Sequence, residues 1–547
     1  MHLPAPQRLV LFVVALLLGP LAAPRAFAAA LPRGGAEAYR PNVVWLVAED
    51  IGPHLAAYGD RTVKTPHLDR LAAEGVTYTK AFAVVGVCAP SRASIITGKY
   101  PTRIGAMNMR TNAKGLTHVK PYEAVPAPEV KCFTEFLRAA GYYTTNNPKE
   151  DYQFARPLTA WDESSTKAHW RNRPTPETPF FAVFNYMETH ESQVWAQADE
   201  PMAVDPKKVK LPPYYPDTPA VRQDVARYYD NLAHLDIKVG EQLAELEKAG
   251  LLDKSVVIFY GDHGAGLPRA KREVYDSGLQ VPLIIRWPDK RGAGTKSDEL
   301  VTLMDLGPSM LSLAGAPVPS WMDGRPFLGP QKAKPRDVFF ATRDRMDEAY
   351  DLVRAARDTR WKYIRYFQPD KPMHQTIAFR RNQKGMLDIY DLRDRGKLND
   401  VQSLWFRPRK PAEELFDTAS DPHEVRDLAQ DPRYRKELLR LRNAVDEFVM
   451  EETDWGFVPE PEMVETFWPG GKQPATAAPA FERYHGYLRM SSPTPGASIA
   501  YQAADGIGSS AWQLYHEPLK LPKGTKVRAV AIRIGYAQSA AMDSEMP

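Results

Sequence analysis

Two cysteines, Cys88 and Cys132, occur among 547 residues. Around the first the chain reads Cys88-Ala89-Pro90-Ser91-Arg92, with Thr97-Gly98 shortly after. Pro90 suits the first turn of a short helix and Gly98 its end, which puts Cys88 at the helix N-terminus. Unpaired amides there, beside an arginine, favour an anion. A lone cysteine is ordinarily a small buried hydrophobe, and Cys132, within KCFTEFLRAAG, keeps that reading. The tetrad Cys-x-Pro-Ser-Arg is different, because it arises by chance in roughly one chain in a thousand of this length.

The elements that must position such a site are apolar runs ending in polar residues. NVVWLVA (42–48) ends in Glu49-Asp50, and SVVIFY (255–260) ends in Gly261-Asp262-His263-Gly264. FFAVFNY (180–186) leads to His190, and GYYTTN (141–146) leads to Asn147-Pro148-Lys149. PLIIRWP (282–288) is a fifth run with no obvious chemistry. Near-continuous apolar runs suit strands buried on both faces. Helical patterns separate them: HLDRLAAEG after Thr65-Pro66, KCFTEFLRAAG up to Gly141, and DVARYYDNLAHLDIKVGEQLAELEKAG closing at Gly250. The alternation predicts an α/β fold with a large, mainly parallel central sheet flanked by helices. Ligands bind such sheets outside the carboxyl ends of the strands, where four runs place carboxylates, histidines or lysines. Polar residues also simply begin loops, but four together are harder to dismiss.

Composition bounds the rest. The chain is 44% hydrophobic, 25% charged and 10% aromatic, as expected of a globular protein. A net charge of +4 gives no reason to expect a nucleic-acid partner. Two cysteines exclude a disulfide framework and a structural Cys₄ or Cys₂His₂ zinc site. Arg8, the apolar run LVLFVVALLLGPLAA and RAFAAA read as a secretory signal peptide over residues 1–28. That implies export to the periplasm or the medium, without a stable membrane anchor.

With these motifs in view, the chain resembles the sulfatase family of the alkaline phosphatase superfamily. CAPSRASIITG matches its signature, PNVVWLVAED its opening metal-binding strand, and TPHLDRLAAEGVTYTKAF the approach to the cysteine. YGDHG matches its second metal pair, and PAEELFDTASDPHEVRDLA its C-terminal signature. The resemblance spans about residues 40–455. It implies that a dedicated maturase oxidises Cys88 to Cα-formylglycine, and that Glu49, Asp50, Asp262 and His263 hold one calcium ion together with the modified Cys88. It implies further that Arg92 orients the hydrated aldehyde and neutralises charge, and that His190 is a sulfate ligand or the proton donor to the leaving oxygen. Lys149 is by the same resemblance the lysine of the family's Lys-x-His element and Lys271, four residues before Tyr275, that of its Lys-x-x-x-Tyr stretch, both completing the site. One hydroxyl of the hydrate would attack sulfur and the other would later expel sulfate. A hard cation would position the ester. The implied activity is sulfuric ester hydrolysis, of O-sulfate or N-sulfate, on a sulfated carbohydrate or small sulfate ester.

Several positions depart from the family pattern. Glu49 replaces an aspartate, Asp151 stands where a second histidine is usual, and Gln280 stands where arginine is common. His263 is an accepted alternative to asparagine. The expected organisation is a catalytic α/β domain over 40–334, a smaller α+β subdomain over 335–455, a linker over 456–480 and a small β-sandwich module over 481–547. Within the subdomain, RAARDTRWKYIRYF reads as an exposed strand. The last module resembles one at the C-terminus of some chitobiases. Two other readings compete: a phosphoester hydrolase on the same scaffold, and a non-catalytic glycan-binding protein. Intact Cys88, Asp262, His263 and Lys271 speak against the second of these.

Overall fold

The computed structural model describes residues 40–112, 119–504 and 511–546. The expected signal peptide, residues 1–28, lies outside them. Among the described residues no helix is long and apolar enough to cross a membrane.

The central sheet has eight strands: β1 (Asn42–Ala48), β2 (Val76–Tyr78), β3 (Tyr143–Asn147), β4 (Glu163–Ser164), β5 (Phe180–Tyr186), β6 (Ser255–Gly261), β7 (Leu283–Arg286) and β8 (Thr295–Ser297). Their order is β4-β3-β5-β1-β6-β7-β2-β8. Only β7 runs against the rest, pairing antiparallel with β6 and β2. The run PLIIRWP is therefore the one reversed strand of a mainly parallel sheet.

Alternation along the central strands divides the core in two. Val44, Leu46, Phe180, Ala182, Val257 and Phe259 enter one buried cluster. Val43, Trp45, Val47, Phe181, Val183, Val256 and Ile258 enter the other. The first face is covered by α1 (Pro66–Glu74) and a later 30-residue helix, Pro219–Lys248. Thr218 caps that long helix through its side chain, accepting from Val221 N at 3.2 Å, and Pro219 pre-sets its first turn. The second face is covered by α2 (Cys88–Thr97), α3 (Phe133–Ala139) and Leu306–Leu313. Cys132 is the residue just before α3 rather than part of it, and it is fully buried. Both cysteines are free thiols.

A four-stranded antiparallel sheet follows: β9 (Phe339–Arg343), β10 (Val353–Arg357), β11 (Trp361–Tyr366) and β12 (Glu413–Asp417). RAARDTRWKYIRYF is thus not one exposed strand. It is the hairpin β10–β11, and every residue of β10 is buried. Charged residues disguise it, since Arg354 and Arg357 are buried in ion pairs with Asp344, Asp454 and Asp276. The stretch read as a linker also contains structure. Glu460–Phe467 is a helix whose Met463 and Phe467 pack on Met107 and Tyr122. Its composition hid a single apolar stripe. Beyond it, an antiparallel hairpin (Ala480–Tyr484, Tyr487–Ser491) and a four-stranded antiparallel sheet form a C-terminal β unit.

That unit is joined closely to the rest. Lys131 Nζ donates to Ser498 Oγ at 2.9 Å and also to Gly496 O at 2.5 Å. Gly496 has φ +76°, and a Cβ there would lie 2.1 Å from Pro128 O, so only glycine fits.

Candidate active site

Four adjacent parallel strands, β3, β5, β1 and β6, end at one edge of the sheet. Because they share direction, the residues just beyond them meet: Lys149, His190, Glu49-Asp50 and Asp262-His263. Asp262 N donates to Ala48 O at 3.0 Å and Glu49 N to Tyr186 O at 3.2 Å, which knits the three strand ends together. Asp50 takes a left-handed backbone (φ 54°), uncommon for a residue with a side chain, and its own N–H donates to Asp262 Oδ1 at 3.0 Å.

Helix α2 brings the cysteine to the same place. Val87 precedes it without a side-chain cap, and Gly98 closes it at φ 69°. All ten residues of α2 are buried. Cys88 Sγ lies 3.4 Å from His263 Nε2 and 3.7 Å from Asp50 Oδ1. Ser91 fixes the helix to β6, donating from Oγ to Asp262 O at 2.6 Å.

The donor set fits a cation. Ligand atoms around one calcium, with bonds of about 2.4 Å, stand roughly 3–4 Å apart. Asp50 Oδ1 is 3.0 Å and Asp262 Oδ1 3.8 Å from His263 Nε2, within that range. His263 Nδ1 donates to Gly264 O at 3.0 Å, so in the neutral ring a bare Nε2 faces the Asp50 carboxylate. The pair so placed suits a shared cation or a proton between Nε2 and the carboxylate. Glu49 Oε2 is also buried, with only the Lys149 ammonium near it at 3.2 Å among the described ion pairs, and Glu49, Asp50, Cys88 and His190 offer ligand atoms within 4.8 Å of one another.

Cationic side chains surround this set. Arg92 pairs with Glu49 and, through Nε, with Asp262 Oδ2 at 3.2 Å; its NH1 donates to Asn185 at 2.8 Å. Lys149 Nζ lies 3.2 Å from Glu49 Oε2 and 3.1 Å from Asp151 Oδ2. Lys271 Nζ contacts Asp50 Oδ2 at 2.6 Å and Glu191 Oε1 at 2.9 Å. Burial by itself would raise the Glu49 carboxyl, but Arg92 and Lys149 hold it down at about 2. Asp262 behaves oppositely: burial, with Glu49 beside it, pushes it up to about 6. Burial also pushes the Cys88 thiol well up and the His190 imidazole down.

The expected residues all converge, with details the motifs did not show. Asp151, in the position where a second histidine is usual, is an ion-pair partner of Lys149. Gln280 instead donates to the Thr79 carbonyl at 2.9 Å and does not line the cleft. Glu191, Arg272, Asn185 and Asp347 were missed. Glu191 follows His190 directly and Arg272 follows Lys271, so adjacency was the only available signal. The second sheet region holds the Lys271 loop: Arg380 donates to Lys271 O at 2.6 Å and Lys362 to Val274 O at 2.8 Å. A cleft of about 750 Å³ opens above Cys88, Lys149, His190 and Lys271.

The sulfatase family model matches residues 41–316. The chain belongs to the sulfatase family. A second family model, N-sulphoglucosamine sulphohydrolase C-terminal, matches residues 261–404 of the sulfatase. An ulvan-active sulfatase of Formosa agariphila is 42% identical over 542 residues, covering 92% of this chain and 91% of that one. Human N-sulphoglucosamine sulphohydrolase is 27% identical, covering 77% and 92%. Among solved structures, a protein in complex with its substrate D-glucosamine-2-N,6-O-disulfate aligns with TM-score 0.54 at 18% identity, covering 77% of this chain and 99% of that one. A phosphonate monoester hydrolase from Silicibacter pomeroyi aligns with TM-score 0.53 at 18% identity, covering 76% and 97%. At that identity the two share the fold. The sulfatase is a sulfuric ester hydrolase.

Proposed function

We propose that the sulfatase removes sulfate from a sulfated glycan after export, using Cys88 matured to Cα-formylglycine and one calcium ion. The observation that carries this is Cys88 Sγ 3.4 Å from His263 Nε2 and 3.7 Å from Asp50 Oδ1, in a buried carboxylate set. Glu49, Asp50, Asp262 and His263 would hold the cation with the modified residue 88. Once in place, these groups would supply a nucleophile and Lewis-acid polarisation of the ester.

The chain's own side chains do the remainder. Lys149 and Lys271, whose ammonium groups reach the site from two sides, bind sulfate oxygens and screen the charge of the carboxylates from the incoming anion. Arg92 keeps Glu49 ionised and orients both Glu49 and Asp262. His190 Nδ1 meets Ser192 Oγ at 2.8 Å and Ser192 N–H at 3.3 Å; with Nδ1 as the acceptor of both, the neutral ring carries its proton on Nε2, from which it would pass to the leaving oxygen. The relatives named as an ulvan-active sulfatase and an N-sulphoglucosamine sulphohydrolase support a glycan substrate. The apolar N-terminal run supports export.

The test is mass spectrometry of the Cys88 peptide from protein co-expressed with a maturase, together with sulfate release from 4-nitrophenyl sulfate. The expected peptide has lost the mass difference between CH₂SH and CHO, and sulfate is released. Only thiol in material exposed to an active maturase would overturn the formylglycine assignment. Faster turnover of 4-nitrophenyl phosphate than of the sulfate would favour the phosphoester reading instead.

A further inference from the structure

An alternating chain of charges leads from the reaction centre to the cleft wall. Asp50 contacts Lys271, Lys271 contacts Glu191, and Glu191 accepts both ends of the Arg272 guanidinium at 2.9 and 2.8 Å. Arg272 Nε then lies 3.2 Å from Asp347 Oδ2, and Asp347 Oδ1 lies 2.9 Å from Arg110 Nε. The first five groups are buried, whereas the Arg110 side chain is 34% exposed and lines the cleft with Cys88, His190 and Lys271.

Charge does not balance along this chain. Asp50 belongs to the metal set, so beyond it two carboxylates, Glu191 and Asp347, serve three cations, Lys271, Arg272 and Arg110. Other cleft cations are better matched: with Glu49 likewise left to the metal set, Lys149 still has Asp151, and Arg156 has Glu150 at 2.6 Å. Among the described residues Arg110 pairs only with Asp347, which it shares with Arg272. Its guanidinium also lies over the Phe379 ring, with Cζ 4.5 Å from the centroid. Asp50, Arg110, Arg272 and Asp347 all have φ between 53° and 74°. Such backbones cost energy and persist where the surroundings over-determine them.

We propose that Arg110 is a specificity-determining residue, binding a second oxyanion of the substrate, a carboxylate or a further sulfate, next to the sulfate that is cleaved. The proposal rests on the sulfatase reading and names the substrate class as doubly anionic saccharides. A guanidinium anchored through Nε still offers its two terminal nitrogens, the geometry suited to a forked oxyanion contact.

The test reads binding rather than turnover. Full-length Cys88→Ala protein in calcium-containing buffer is titrated with three disaccharides sharing one sulfated hexosamine. The neighbouring sugar is neutral, a uronic acid, or sulfated. One or both doubly anionic probes should bind at least tenfold tighter than the neutral one. Adding Arg110→Ala should bring the ratio to within about twofold, while Arg110→Lys, which keeps charge without the fork, retains part of it. Which anionic probe responds identifies carboxylate or sulfate as the group recognised. Equal or absent binding of all three, or a preference that survives Arg110→Ala, overturns the proposal. Sulfate release by matured wild-type protein is measured separately, so failure of the activity is distinguishable from failure of this recognition.

Discussion

The Lys271 ammonium lies 2.6 Å from Asp50 Oδ2, and neither side chain is more than 2% exposed. The pair joins a proposed metal ligand to a proposed sulfate contact, and Glu191 shares the same ammonium. Removing it leaves the buried Asp50 carboxylate without its lysine, while Glu191 keeps Arg272. Lys271→Ala should therefore cost about 3–5 kcal/mol of stability and lower sulfate release at least roughly a hundredfold. Chemical denaturation and sulfate assay read the two effects, and a variant of wild-type stability would refute the pairing.

Calcium should stabilise the folded protein. A ligand at a hundred times its dissociation constant adds about 2.7 kcal/mol, and a buried carboxylate set gains most from neutralisation. Thermal unfolding with and without calcium, after chelation, should show a clear upward shift in Tm. In Asp262→Asn that shift should shrink substantially. An unchanged shift would remove Asp262 from the metal set.

The two cysteines should separate cleanly by substitution. Cys88→Ser should fold but release sulfate at about a thousandth of the wild-type rate or less, because serine lacks the matured group. Cys132 is fully buried in the core, so Cys132→Ser should cost about 1–3 kcal/mol through its unsatisfied hydroxyl. Its kcat should stay near wild type. Loss of turnover in Cys132→Ser without loss of stability would contradict this division.

Asp224 gives a pH dependence remote from the catalytic groups. It is buried in the long helix Pro219–Lys248 and accepts Gly385 N–H at 2.7 Å; burial pushes its carboxyl up to about 7, against an ordinary 3.8. The folded state thus holds its proton more tightly than the unfolded chain. Its contribution is full below about pH 4, falls as pH rises from there, and is lost above about pH 7. Asp224→Asn keeps a carbonyl for Gly385 and cannot ionise. Relative to wild type it should gain about 1–3 kcal/mol between pH 5 and pH 8. Parallel stability profiles for the two proteins would show that Asp224 does not titrate this way.

Strand ends and the Cys88 helix were legible because each is a contiguous pattern. NVVWLVA and FFAVFNY occupy β1 and β5 residue for residue, and Gly98 ends α2 as its position predicts. The chain from Lys271 to Arg110 was not legible. It joins residues 110, 191, 272 and 347, and an ion pair between distant segments leaves no periodicity in either. The hairpin β10–β11 was misread for a related reason: its arginines look like surface residues until their buried aspartate partners are known. The helix Glu460–Phe467 was lost among prolines and glycines that elsewhere mark linkers.

The close approach of Gly496 to Pro128 also bears on how the gene can be edited. Because a backbone with no side chain is pressed against another backbone, the C-terminal β unit is keyed to the catalytic body by shape. It is therefore a poor cassette for transplantation. Grafting it onto another enzyme would also require the loop from Tyr122 to Lys131, which forms the other half of the joint and reaches the cleft at Tyr122 and Glu123.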